Sequence, residues 1–241
     1  MILKDRIALV TGASRGIGFA VAKALAAEGA HVIAIARTIG GLEELDDQIQ
    51  AAGGSATLVP LDLTDGNGVD QVGGAIAERW GKLDILVGNA GFLGELGPIP
   101  HQDPALWNDV LALNLTVNWR LLRALDALLR ASDAGRALFM TSSVASKPRA
   151  YWGAYAISKA ALESMVRIYA DEIESTPIRA NLLDPGAVRT RMRAKAMPGE
   201  DPETLPAPDE IAPLVVKMVS PDWTDNGQMV NYREWREGSD A

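Results

Sequence analysis

From Arg6 onward, short apolar runs rich in β-branched residues alternate with amphipathic stretches of helical period, and the alternation holds almost to the end of the chain. A strand followed by a helix and then by another strand returns the chain to the same end of a sheet, so the pattern dictates parallel pairing with helices packed on the faces. Strands are predicted at 7–10, 31–36, 56–59, 85–88, 137–141, 178–183 and 228–230, and helices at about 16–28, 42–51, 70–80, 104–131, 151–174 and 208–219. The expected fold class is α/β, a doubly wound parallel sheet of about seven strands with helices on both faces.

Composition narrows the function classes. With 48% hydrophobic and 22% charged residues over 241 positions, the chain has ample material for one core, and a single domain over 1–241 is expected. The formal net charge of −8 argues against nucleic-acid or anionic-membrane partners. Cysteine is absent, which excludes disulfides, thiolate metal sites and cysteine nucleophiles. His31 and His101 sit in no metal-ligand spacing, so no metal is expected; His31 opens a strand, and His101 is expected near the mouth of a site. The first residues lack a signal-peptide apolar region and no apolar run is long enough to span a bilayer, so the sequence predicts a cytoplasmic protein. The stretch 197–213 carries Pro198, Pro202, Pro206, Pro208 and Pro213, and reads equally as a substrate flap or as a surface connection.

Between the first strand and first helix lies Thr11-Gly12-Ala13-Ser14-Arg15-Gly16-Ile17-Gly18. Glycines there allow a tight turn and let backbone N–H groups at a helix N-terminus approach a phosphate. The spacing is G-x-x-x-G-x-G, in the strand–turn–helix setting of a dinucleotide-binding Rossmann fold. An ordinary glycine-rich turn is the alternative. The second strand ends in Ile35-Ala36-Arg37, with no acidic residue to receive a ribose 2′-hydroxyl. Arg37 and Arg15 are instead suited to a 2′-phosphate, which favours NADP over NAD, unless both are plain surface charges.

Tyr155 and Lys159 share one face of a predicted helix. A neighbouring ammonium stabilises a phenolate, so the pair is expected to form an acid–base unit with a lowered tyrosine pKa. Ser142 and Ser143 follow a strand upstream and are placed to hydrogen-bond a substrate oxygen. Taken alone, Tyr-x-x-x-Lys is more often structural.

Together these motifs resemble the short-chain dehydrogenase/reductase family, from about Arg6 to Pro185-Gly186. The match rests on Thr11–Gly18, Asp62, Gly88-Asn89-Ala90-Gly91, Asn114, Ser143, Tyr155-x-x-x-Lys159 and Pro185-Gly186-x-Val188-x-Thr190. The run 150–155 and the downstream Arg191-Met192-Arg193-Ala194 are most similar to a bacterial subgroup of NADP-dependent reductases without a secure substrate. The resemblance implies hydride transfer between nicotinamide and a carbonyl or alcohol, with Tyr155 as general acid or base. Lys159 would lower the tyrosine pKa and bind the nicotinamide ribose, Ser143 would polarise the substrate oxygen, and Asn114 would support a proton relay. For the cofactor it implies Gly12, Ser14, Arg15, Gly16, Ile17, Gly18, Arg37, Asp62, Leu63, Asn89, Ala90, Gly91, Tyr155, Lys159, Pro185, Gly186, Val188 and Thr190. The family's usual serine-to-tyrosine separation of 13 residues selects Ser142, whereas the Ser-Val step selects Ser143. Ser143 is taken, on the reasoning that one loop residue is missing.

Phe92, Leu93, Leu96, Trp152, Met192 and Met197 are expected to border the nicotinamide end, implying an apolar small-molecule substrate. Arg189, Arg191, Arg193 and Lys195 form a basic cluster that would suit the acidic carrier of a 3-oxoacyl-(acyl carrier protein) reductase, or be a solvated helix face. A non-catalytic NADP-binding sensor or scaffold is the reading from another class. By the resemblance, the long helices around Asn114 and Lys159 would mediate a homodimer or homotetramer.

Overall fold

Strand β1 (Ile7–Thr11) is buried along its whole length, as a strand covered by helices on both faces must be. The computed structural model describes residues 1–239 and places β1 third in a seven-stranded sheet, between β2 and β4. The other strands are β2 (His31–Ala36), β3 (Ser55–Pro60), β4 (Ile85–Gly88), β5 (Arg136–Met140), β6 (Arg179–Asp184) and β7 (Met229–Asn231). All pair in parallel, in the order β3-β2-β1-β4-β5-β6-β7. The chain builds outward from β1 to β3 and then returns to lay β4 on the opposite side of β1. That reversal opens a crevice at the carboxyl ends of β1 and β4, where open α/β sheets bind ligands.

Helices α1 (Gly16–Ala27), α2 (Ile39–Ala51) and α8 (Pro208–Met218) cover one face through Leu25, Leu42, Leu45, Ile49 and Leu214. The other face carries α3 (Gly66–Trp80), α5 (Val117–Arg130) and α6 (Gly153–Glu172), through Ile76, Leu121, Leu125, Leu162 and Val166. Asp65 caps α3 by accepting from Asn67 N, and Gly81 ends it in the left-handed region at φ 68°. At the amino ends of β1 and β4, the buried Asp84 accepts from Ile7 N at 2.9 Å and from Arg6 at 3.0 Å, and also binds Ser132 and Lys82.

The helix expected over 104–131 is three pieces: α4 (Pro104–Leu111), a π-helical turn (Ala112–Thr116) and α5. The wider turn places Asn114 inward, fully buried, where an uninterrupted helix would present a different face. The helix expected from 151 starts at Gly153, because Tyr151 takes a left-handed φ of 74°. Two helices were not foreseen, α7 (Arg191–Ala196) and α9 (Tyr232–Ser239); both are short and dominated by polar residues. No helix among the described residues is long and apolar enough to cross a membrane.

Candidate active site

The glycine turn lies at the carboxyl end of β1. Gly12 has φ +68°, and a Cβ there would press on Ala90 and on the Asn89 amide at 3.0 Å. A Cβ on Gly18 would overlap the same amide and the Gly12 carbonyl. Asn89 Nδ2 donates to Thr11 O at 2.8 Å, while Thr11 Oγ1 accepts from the N–H groups of Asn89 and Ala90 at 2.9 and 3.0 Å. The turns after β1 and β4 are thereby locked together. Helix α1 has no side-chain cap and no acidic residue in its first turn, so its free N–H groups and positive dipole end are left for an anion. These features fit a dinucleotide diphosphate.

A cleft of about 690 Å³ runs from this turn across the sheet ends. Every residue expected to bind the cofactor borders it except Gly18, which lies beneath the turn. Arg37 and Asp62 face each other at one end with a separation of 3.8 Å. Asp62 also accepts from Thr64 N at 3.0 Å and Thr64 Oγ1 at 2.7 Å, and these bonds hold its carboxyl below the usual range. At the other end, Thr190 caps α7 by accepting from Arg193 N, which swings α7 over the cleft.

That far end also holds Tyr155, Lys159 and a serine. Of the two candidate serines, Ser142 borders the cleft and Ser143, the one expected, does not. Ser142 stands beside Tyr155 and draws the pKa of the Tyr155 hydroxyl down, whereas Ser143 is exposed and outside the lining. The turn after β5 places Ser142 in the cleft wall and leaves the Ser143 side chain exposed. Lys159 is 3% exposed, donates from Nζ to Met140 O at 2.7 Å and lies 5.8 Å from the Tyr155 ring centre. Burial lowers the Lys159 pKa to about 8. Burial likewise raises the Tyr155 pKa to about 12, with Ser142 pulling down and Asp184 pushing up. The expected lowering of the tyrosine pKa is therefore not the balance found: desolvation outweighs it in this environment.

Asn114 stands behind this group and does not border the cleft. Its Nδ2 donates to Ser158 Oγ and Phe92 O, both at 2.9 Å, and its Oδ1 accepts from Phe92 N at 2.7 Å. Ser158 Oγ in turn donates to Tyr155 O at 2.7 Å. Ser158 and Thr11 are fully buried links that the sequence reading passed over, although both lie inside the quoted motifs.

Phe92, Leu93, Trp152 and Met192 line the cleft as expected; Leu96 and Met197 do not. His101 belongs to a separate cavity of about 150 Å³, so its expected place at the mouth is corrected. His31 bridges Ser55 and Thr57 at 2.8 Å each, a structural role. The basic cluster is partly neutralised, since Arg189 pairs with Glu203 and Arg193 with Glu200. Those pairs pin the segment after α7 to the outside, and of 197–213 only Pro208 reaches the cleft. The covering element is α7, upstream of the proline-rich stretch.

A Rossmann sheet with this cleft is a dinucleotide-binding architecture, and comparison with known proteins gives the family. The chain belongs to the short-chain dehydrogenase family, whose model matches residues 6–201. The uncharacterized oxidoreductase YciK of Escherichia coli K12 is 41% identical over 224 residues, 92% of this chain and 88% of its own. A crystal structure of a short chain dehydrogenase from Shigella flexneri complexed with NADP is 38% identical, with TM-score 0.92 over 96% of this chain and 98% of that one. The 3-oxoacyl-[acyl-carrier-protein] reductase FabG of Salmonella typhimurium is 35% identical over 192 residues, 80% of this chain and 77% of its own.

Proposed function

We propose that the protein is an NADP-dependent carbonyl reductase acting on an apolar small molecule, reversible as an alcohol dehydrogenase. The observation that carries this reading is the gathering of Tyr155 and Ser142 beside buried Lys159, at the opposite end of one cleft from Arg15 and Arg37. A bound nicotinamide supplies the hydride in reduction and accepts it in oxidation. Tyr155 donates its proton to the substrate oxygen as negative charge develops there, and Ser142 orients that oxygen. Lys159 holds a positive charge below the phenol and stabilises the phenolate left behind. Asn114 fixes the loop at Phe92 and, through Ser158, the backbone of Tyr155. Arg37 and Arg15 would take the 2′-phosphate, and the end of β2 carries no acidic residue to receive a ribose 2′-hydroxyl instead. The relative from Shigella flexneri, complexed with NADP, supports the same cofactor.

The FabG relative supports a second reading, reduction of a 3-oxoacyl thioester on an acidic carrier. That reading needs a basic docking face, and the carboxylates of Glu200 and Glu203 already occupy two of its cations. The small-molecule reading is therefore preferred. Exposed Trp119 on α5 and Ile157 and Ile168 on α6 offer faces for a homodimer or homotetramer.

The test is NADPH oxidation against ketones, aromatic aldehydes, quinones and 3-oxoacyl thioesters, with Tyr155→Phe beside the wild type. A loss of about 10³-fold in turnover is expected in the variant, with NADPH affinity retained. Near-wild-type turnover would remove Tyr155 from the mechanism.

A further inference from the structure

Helix α7 lies across the cleft and is fixed at both ends. At its start Thr190 stands by the glycine turn, its methyl 3.6 Å from where a Cβ on Gly16 would sit. At its end Lys195 donates from Nζ to Gly94 O at 2.7 Å, in the loop that follows β4. Met192 and Ala196, one helical turn apart on the same face, pack against the apolar cluster that holds Leu93 and Tyr155. The start of α7 thus belongs to the cofactor end of the cleft, and its end to the space beside the reacting phenol.

Lys195 borders that space, and its charge has no counter-ion among the described residues. Arg189 and Arg193 differ, since Glu203 and Glu200 already balance them. Arg191 also borders the cleft, but it follows Thr190 at the glycine-turn end. Glu95, next to Gly94 in sequence, is exposed and borders the separate cavity that holds His101. The Lys195 ammonium stands 5.9 Å from the centre of the Phe92 ring, so a carbonyl and a ring face hold it in place without cancelling its charge. An ammonium has three donors, and the bond to Gly94 O uses one, which leaves a pair of donors for the two oxygens of a carboxylate. The neighbouring walls, Phe92, Leu93, Trp152 and Met192, are apolar, and an ion pair set among them is screened less than one in open water.

Resting on the reading of this site as a carbonyl reductase, we propose that Lys195 is a specificity-determining residue that binds a carboxylate of the substrate, which makes the substrate an oxo acid with an apolar body. The carbonyl lies at Tyr155, the body against Leu93, Trp152 and Met192, and the carboxylate takes the free donors of Lys195. In reduction the carbonyl carbon gains the hydride of the bound nicotinamide and the carbonyl oxygen gains the Tyr155 proton, giving a hydroxy acid. The carboxylate is a handle and leaves unchanged. A handle remote from the reacting atoms fixes which end of the molecule enters, so Lys195 sets orientation as well as choice. A neutral carbonyl compound would leave those donors to water.

The experiment is isothermal titration calorimetry on the protein loaded with NADP⁺, using straight-chain and phenyl-substituted alkanoic acids of increasing length, each beside its primary amide. These probes carry no reducible carbonyl, so the readout is independent of turnover. The acids that fit should bind about 5-fold tighter than their amides, the size expected of a partly exposed ion pair. Lys195→Met should abolish that preference and Lys195→Arg should keep it. A merely structural role, through the bond to Gly94, would weaken acid and amide alike and leave their ratio unchanged. A panel in which no acid is bound better than its amide, or a preference that survives Lys195→Met, would overturn the proposal. Equal loss of the preference in Arg191→Met would overturn it too, by assigning the effect to the field of the whole helix. NADPH oxidation with oxo acids and neutral ketones tests the underlying reading separately. Acid preference in binding with no turnover of either class would take down the reductase reading and keep Lys195 as an anion site, whereas turnover of neutral ketones without acid preference would do the reverse.

Discussion

Lys159 donates from Nζ to the carbonyl oxygen of Met140 at 2.7 Å, so the cation of α6 is moored to the last residue of β5. One bond to a neutral carbonyl offsets little of the cost of burying an ammonium. The pKa of about 8, lowered by that burial, expresses the balance.

A stability cost follows, with a defined sign. The folded protein releases the Lys159 proton near pH 8, while the unfolded chain holds it to the ordinary lysine value of about 10.5. Between those values the unfolded state binds more protons, so stability rises with pH across the window. Lys159→Met should unfold at higher urea than wild type at pH 7, by about 1 kcal/mol after the lost bond to Met140, and should lose this rise with pH. Urea titrations at pH 7 and pH 9 check both.

The serines give a discriminating pair. Ser142→Ala removes the hydroxyl beside Tyr155 that draws its pKa down and should lower turnover about 10²-fold or more. Ser143→Ala changes an exposed side chain outside the cleft, and should stay within a few-fold of wild type. Steady-state kinetics on the first accepted substrate decide; the reverse order would return the role to Ser143.

Arg37→Asp places a carboxylate where a 2′-phosphate would lie and sets it beside Asp62. NADPH affinity should fall at least 10-fold while NADH affinity holds or improves, read by cofactor fluorescence titration. Unchanged discrimination would put the phosphate elsewhere.

Acid should unfold the protein partly through Asp84. Burial pushes its carboxyl up, but bonds from Ser132, Ile7 N and Lys82 outweigh this and leave it below the ordinary value. The stabilisation is present above the unfolded pKa of about 4 and is lost as pH falls through the lower folded value. Asp84→Asn should therefore lower the melting temperature at neutral pH and flatten its fall below about pH 4, in thermal scans across that range.

Much of this molecule is legible in residue order alone. The alternation of apolar runs with amphipathic stretches sets strand and helix identity, because a strand covered on both faces is a continuous apolar run while a helix buries one stripe at its own period. The glycine turn and Arg37 are also local, since backbone reach and charge at a strand end need no distant partner to be recognised. What only the tertiary structure decides is which groups meet. The serine choice depends on how the turn after β5 rotates at the cleft wall, and counting residues along one strand cannot give that rotation. The π-turn at Asn114 depends on Phe92 and Ser158 supplying partners from other segments. The balance of charge at Tyr155 belongs to the same class. The Tyr155 and Lys159 pair is local, but burial and Asp184 come from strands far along the chain, and desolvation is a property of the assembled interior that no spacing encodes.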